Sequence, residues 1–231
     1  MTSQRRIKYW VIPPKADAEF AAATERTIET YQTPYDAEVP VVCMDEQPIS
    51  LHADVAGREP IPETLNHCKR VDYEYVRKGT ASIFMFVEPL TGWRWVDVRE
   101  RRTKIDWALE VASIAAKFPK AKKIILVCDN LNTHTYGAFY EAFPATEASR
   151  LRRLIELRHT PKHGSWLNIA ECELSVLTRQ CLKNRRFPTL ETLQSETRAW
   201  NVDRNNRQNA VNWQFTTDDA RIKLKSIYPQ F

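Results

Sequence analysis

Apolar and polar positions along the chain change period several times, and each change marks an element. The β-rich run "VVCMDEQ" (41–47) gives way to a proline-bearing stretch of mixed charge (52–70), which reads as a loop. Residues 71–89 hold two β-prone halves around Lys78 and Gly79, and residues 92–100 alternate, setting Trp93, Trp95 and Asp97 opposite Arg94, Val96 and Val98. The period then turns helical over 104–118, with Ile105, Leu109, Ala112 and Ala116 on one face. "KKIILVCDN" (122–130) is a continuous apolar run of the kind a buried parallel strand shows. A helical region at 134–154 breaks at Pro144, a short strand covers 154–161, and 190–206 reads as a last helix. Three meandering strands followed by strands alternating with helices predict an α/β fold, a mixed sheet with helices on both faces. Residues 1–40, with an alanine- and glutamate-rich helix at 16–32, read as an arm leading into a main domain at 41–231.

Composition narrows the class without changing that picture. A chain of 231 residues, 43% hydrophobic and with seven tryptophans, can bury a substantial core. Its apolar runs fall far short of the roughly 20 residues of a membrane span, and its start lacks a signal peptide's apolar stretch, so a cytoplasmic protein is expected. Five cysteines without a CxxC pair argue against a disulfide framework or a zinc knot, and Cys43 and Cys128 lie in strand-like runs where burial is expected. The net charge of +5 is mild, but basic residues cluster locally, as at Lys120, Lys122 and Lys123 and at Lys183, Arg185 and Arg186. Each cluster taken alone reads first as a solvated face, and only secondarily as a set of phosphate contacts.

Three acids stand out. Asp45 lies in a strand among apolar residues, where an ionised carboxylate needs a compensating cation or donor, while its neighbour Glu46 should point to the opposite sheet face. Asp129 follows the apolar run at the carboxyl end of a predicted parallel strand, where open α/β sheets place ligand-binding groups, although an Asx-turn would use the same residue. Glu171 stands three residues after Asn168 at a predicted helix start. It fits either a capping box or a first-turn ligand leaning towards the strands, and Glu173, about 200° further round, faces elsewhere. If all three converged they would repel one another unless divalent cations sat between them, and hard oxygen donors of this kind suit Mg²⁺ or Mn²⁺. No GxxxxGK[ST], GxGxxG, GxSxG or HExxH pattern offers other chemistry.

Six stretches, "VVCMDEQP", "DYEYVRKGTASIFMFVEPLTGWR", "TKIDWA", "LVCDNLNTHT", "HTPKHGSWLNIAECELSVLTRQCL" and "NWQFTTDDARIKLKSIYP", occur in this order. Together they resemble the DDE catalytic domain of bacterial insertion-sequence transposases of the mariner-related superfamily. The resemblance implies a ribonuclease-H-like five-stranded mixed sheet, with Asp45, Asp129 and Glu171 as catalytic acids holding two Mg²⁺ or Mn²⁺ ions. It implies hydrolysis of phosphodiester bonds at transposon ends and strand transfer into target DNA, at TA sites. Double-stranded DNA is the expected partner, contacted through His134, Lys162, His163, Lys183, Arg185 and Arg186, in a protein that is nucleoid-associated when bound. A homodimer in the DNA complex and a separate N-terminal DNA-binding subunit are compatible with it. The interval from Asp129 to Glu171 is longer than is usual in the superfamily, and about 40 residues precede the first acid where relatives carry a helix-turn-helix region. The segment "RRIKYWVIPP" reads as a basic arm or a linker. The rivals are a catalytically silent DNA-binding fragment and a stand-alone ribonuclease-H-like nuclease.

Overall fold

A computed structural model describes residues 17–229; the "RRIKYWVIPP" segment lies outside them. Five strands, β1 (Val41–Ala53), β2 (Val76–Glu88), β3 (Trp93–Arg99), β4 (Ile124–Cys128) and β5 (Ile155–His159), form one sheet in the order β3-β2-β1-β4-β5. β2 runs antiparallel to both β1 and β3, while β4 is parallel to both β1 and β5. The expected mixed sheet with helices on both faces is therefore present.

The two faces bury different helices. On one, α2 (Lys104–Ala115), α3 (Tyr136–Ala142) and α4 (Ala145–Leu154) cover Val42, Met44, Phe84, Phe86, Leu126 and Cys128. On the other, α5 (Ile169–Leu177) and α6 (Leu190–Asn206) cover Val41, Cys43, Ile83, Met85 and Val127. The alternation of β1 and β4 between these two sets is the period-two consequence of a sheet covered on both sides. A third cluster joins Phe20, Ala21 and Ile28 of α1 (Ala18–Gln32) to Leu167 and to Ala220 of α7 (Thr217–Lys223). Tyr31 of α1 donates its hydroxyl to the Leu167 carbonyl oxygen at 2.8 Å, tying that helix to the turn preceding α5.

Several expectations change in detail. β1 continues to Ala53, into the segment read as loop, because it pairs along most of its length with β2, with a bulge between Leu51 and His52. β2 is one strand rather than two halves: Gly79, at φ +114°, carries the chain through opposite Leu51 near that bulge, a conformation that suits glycine. The buried face of α2 is Trp107, Ala108, Val111, Ile114 and Ala115, whereas Ile105 is 46% exposed. The largest side chain of the helix sets which stripe faces the core, and Trp107, fully buried, outweighs Ile105. Helix α7, opened by a Thr216–Asp219 capping box, completes the chain's packing against α1.

Candidate active site

Strand register brings the first two acids together. β1 and β4 are parallel with Cys43 opposite Val127, so continuing by two residues along each chain sets Asp129 beside Asp45 on the face covered by α5. Glu171 occupies the first turn of α5. That helix is fixed to β1 by Asn168, a fully buried residue whose amide donates to the Met44 carbonyl oxygen at 2.8 Å. The same side chain accepts from Ala170 N–H at 3.1 Å and so caps the helix. The bond that a capping box would take from Glu171 is not made. The Asn168 backbone N–H donates instead to the Ser165 carbonyl oxygen at 2.7 Å, and Glu171 is left exposed at the helix's positive end.

The electrostatics of Asp45 are those of an unneutralised group. Burial pushes the Asp45 carboxyl up to about 6; the Glu46 N–H that it accepts at 2.8 Å opposes this, and the negative charges of Asp129 and Glu171 add to it. Among the described residues no arginine, lysine or histidine pairs with Asp45 within 4 Å. Hard carboxylate oxygens lacking a cation are a donor set that fits Mg²⁺ or Mn²⁺. Even so, no three histidine, cysteine, aspartate or glutamate side chains among the described residues stand arranged around one ion position. The acids are near enough to repel and are not closed upon a common point, as expected for like charges with nothing between them.

Behind Asp129 lies a buried histidine. His134, 1% exposed, sits with Nε2 3.1 Å from Glu46 Oε1 and Nδ1 2.8 Å from Asp129 Oδ1. Nδ1 is also 3.2 Å from the Asp129 carbonyl oxygen, which it meets at the better hydrogen-bond angle, so the carboxylate contact is an ion pair. Burial opposes charge on this ring, but the contacts with Asp129, Cys128 and Glu46 prevail and raise its pKa to about 12. This placement corrects the expectation that His134 touches DNA: a buried ring engaged at both nitrogens has no edge to offer a phosphate.

The other expected DNA contacts divide. Lys162, His163 and Lys183 are exposed and form no ion pair among the described residues. Lys162 and His163 line a cleft of about 470 Å³ with Arg26, His159 and Asn130, the residue after Asp129. His163 holds a left-handed φ of 65°, and Gly164 packs so tightly on Pro161 that a Cβ there would lie 2.4 Å from the proline ring. Arg185 is engaged by Glu196 at 2.8 Å, and Arg186 by Asp54 at 2.6 Å and by the Asp72 carbonyl oxygen, so both already serve the protein's own packing.

Two contributors were not singled out in the sequence. Arg94, 1% exposed, donates to Glu173 at 2.6 Å and to the Asn209 carbonyl oxygen at 2.7 Å, and Arg204 of α6 meets the same glutamate at 2.7 Å. The brace joins β3, α5 and α6 two residues from Glu171. Its signal was present, since Arg94 shares a strand face with Val96 and Val98. Glu46 was placed on the face opposite Asp45, and its partner there, His134, lies too far away in sequence for any pattern to reveal.

A family model described as DDE superfamily endonuclease matches residues 40–194, the span containing Asp45, Asp129 and Glu171. A search of curated proteins gives no match. Among solved structures, the Mos1 mariner paired end complex with Mn is similar at a TM-score of 0.55 and 13% identity, over 88% of this chain and 60% of that one. The Mos1 Strand Transfer Complex is similar at 0.57 and 14%, over 90% and 61%, and the mariner Mos1 paired end complex with Mg at 0.58 and 12%, over 100% and 69%. Likeness at such identities is one of fold, the ribonuclease-H-like α/β arrangement, and the chain spans about three fifths of the first two of those proteins.

Proposed function

The chain belongs to the DDE superfamily endonucleases, and from that premise we propose that it is the catalytic domain of a DNA transposase. It hydrolyses phosphodiester bonds at transposon ends and transfers the freed 3′-hydroxyls to target DNA, at TA sites. Asp45, Asp129 and Glu171 hold two Mg²⁺ or Mn²⁺ ions. Bound there, divalent cations supply Lewis-acid stabilisation to the attacking and leaving oxygens of an in-line phosphoryl displacement. The chain's own residues position: Asn168 locks the Glu171 helix to β1, the Arg94–Glu173–Arg204 brace holds that helix from behind, and Lys162, His163 and Lys183 receive backbone phosphates. Mos1 forms paired end complexes, and a pair of chains on DNA is the corresponding assembly for this domain.

The observation that carries the reading is Asp45, a largely buried carboxylate with no cation among the described residues and two further acids repelling it. A structural acid in that position is expected to have a partner. Asp45→Asn should abolish Mg²⁺- or Mn²⁺-dependent strand cleavage on transposon-end DNA while leaving DNA affinity equal or improved, since a negative charge near phosphates is removed. Undiminished cleavage by that variant overturns the mechanism.

A further inference from the structure

Of the three acids, Asp129 has a carboxylate oxygen facing into the protein. Its Oδ1 is buried and makes no hydrogen bond of good geometry among the described residues; it forms an ion pair with His134 Nδ1 at 2.8 Å. The ring's other nitrogen is held 3.1 Å from Glu46 Oε1, and both the His134 and Glu46 side chains are 1% exposed. The ring plane is fixed as well. Trp107 stacks on it with centroids 5.4 Å apart and planes 28° from parallel, and Phe139 stacks in turn on Trp107 at 5.3 Å. The backbone is fastened at the same point, where His134 N–H donates to the Leu131 carbonyl oxygen at 3.1 Å and the His134 carbonyl oxygen meets His159 Nε2 at 3.0 Å.

Of the two acids against this confined imidazole, Glu46 is buried at 1% exposure and Asp129 keeps its side chain 30% exposed. We propose that His134, held by Glu46 on the sheet face away from Asp45, is a positioning residue that clamps Asp129 Oδ1 and so presents the other carboxylate oxygen to a cation. The inference rests on the reading of Asp129 as a metal ligand. Glu46 and Asp45 are neighbours on one strand with opposite tasks: Asp45 faces the cation site, and Glu46, on the other face of the sheet with Trp107, steadies the histidine behind the second acid. Partners of this kind, one shell out from a ligand, typically change metal affinity by about 10- to 100-fold.

Two amide replacements separate the ring's nitrogens. In His134→Asn the amide nitrogen falls near the place of Nδ1 and retains the contact with Asp129; in His134→Gln it falls near Nε2 and retains only that with Glu46. Mn²⁺ binding is followed by the loss of the free-ion electron paramagnetic resonance signal, with thermal unfolding of each metal-free variant measured alongside. Wild type should bind Mn²⁺ and Asp45→Asn should not. His134→Gln should bind about 10-fold or more weakly than wild type, and His134→Asn within about 3-fold of it. Equal affinity of His134→Gln and wild type overturns the clamp, as does an equal loss in both replacements at matched stability. Failure of wild type to bind Mn²⁺, or binding indifferent to Asp45→Asn, instead overturns the reading of the acids as metal ligands. Should neither replacement fold, the ring ¹⁵N resonances of His134 in wild type decide: they should shift during Mg²⁺ titration with the midpoint of metal binding, and unmoved resonances contradict the clamp.

Discussion

Two acids of this domain, the buried Glu173 and the largely buried Asp45, have opposite environments. Burial works against the charge of both. At Glu173 that effect is outweighed by the guanidinium groups of Arg204 and Arg94, which hold the carboxyl below its usual value. At Asp45 nothing cationic among the described residues answers, and two more acids push the carboxyl further up, to about 6. Glu173 is two residues from Glu171 on the same helix, so one short helix serves both environments, turning one acid to an arginine brace and the other to the open side. Evolution of a core tends to satisfy its charges; a charge left unsatisfied beside others of the same sign marks where a ligand belongs.

The comparison can be broken most forcefully at Glu173. Glu173→Ala strands the Arg94 guanidinium in the interior and should cost about 3–5 kcal/mol in chemical denaturation near neutral pH. A loss below about 1 kcal/mol would show that the brace is not structural. The same pair sets an acid limit: since the folded pKa of Glu173 lies below its unfolded value of 4.5, its contribution is present above pH 4.5 and disappears as pH falls through the folded value. Wild type should therefore lose more stability than Glu173→Gln on acidification from pH 5 to 3.

Trp166 sharpens the boundary between the regions, because it stands in the turn leading to Asn168 yet packs against the α1–α7 cluster. Trp166→Ala should lower stability by about 2–3 kcal/mol and leave the DNA affinity of the folded protein unchanged. Lost DNA binding at unchanged melting temperature would assign the indole to stacking on a base.

Asp45→Asn should give the smallest effect, and of opposite sign. A carboxyl raised from 3.8 to about 6 favours the fold below pH 3.8 relative to its contribution above pH 6, where the protein must carry the charge unpaired. In metal-free buffer the variant should gain about 1–2 kcal/mol over wild type at pH 8, with the gain vanishing by pH 4. A loss at pH 8 would mean that Asp45 already has a stabilising partner.

The strands were legible because each carries its period on its face: Arg94, Val96 and Val98 alternate with Trp93, Trp95 and Asp97, and the unbroken apolar run of β4 announces a strand covered on both sides. Capping chemistry is legible too, since Asn168 does cap α5 and the Thr216–Asp219 spacing opens α7. Contacts between distant elements left no local trace. His134 reads on its own as a polar residue near a helix start, and only the folded chain brings Glu46, 88 positions away, to its ring. Arg185 and Arg186 look like a phosphate patch until Glu196 and Asp54 are seen to hold them. The face chosen by α2 was misjudged because periodicity weights Ile105 and Trp107 alike, whereas burial favours the larger surface.

On the proposed function, the unpaired charge of Asp45 exists for a divalent cation shared with Asp129 and Glu171. Crystals of the protein equilibrated with Mn²⁺ and measured for anomalous scattering test it most directly. The account predicts manganese density contacted by carboxylate oxygens of Asp45, Asp129 and Glu171, with Glu171 turned towards the strands and Asp129 Oδ1 still against His134. Density elsewhere with none at Asp45, or a Glu171 side chain that turns back to the Asn168 N–H while metal is bound, would contradict it.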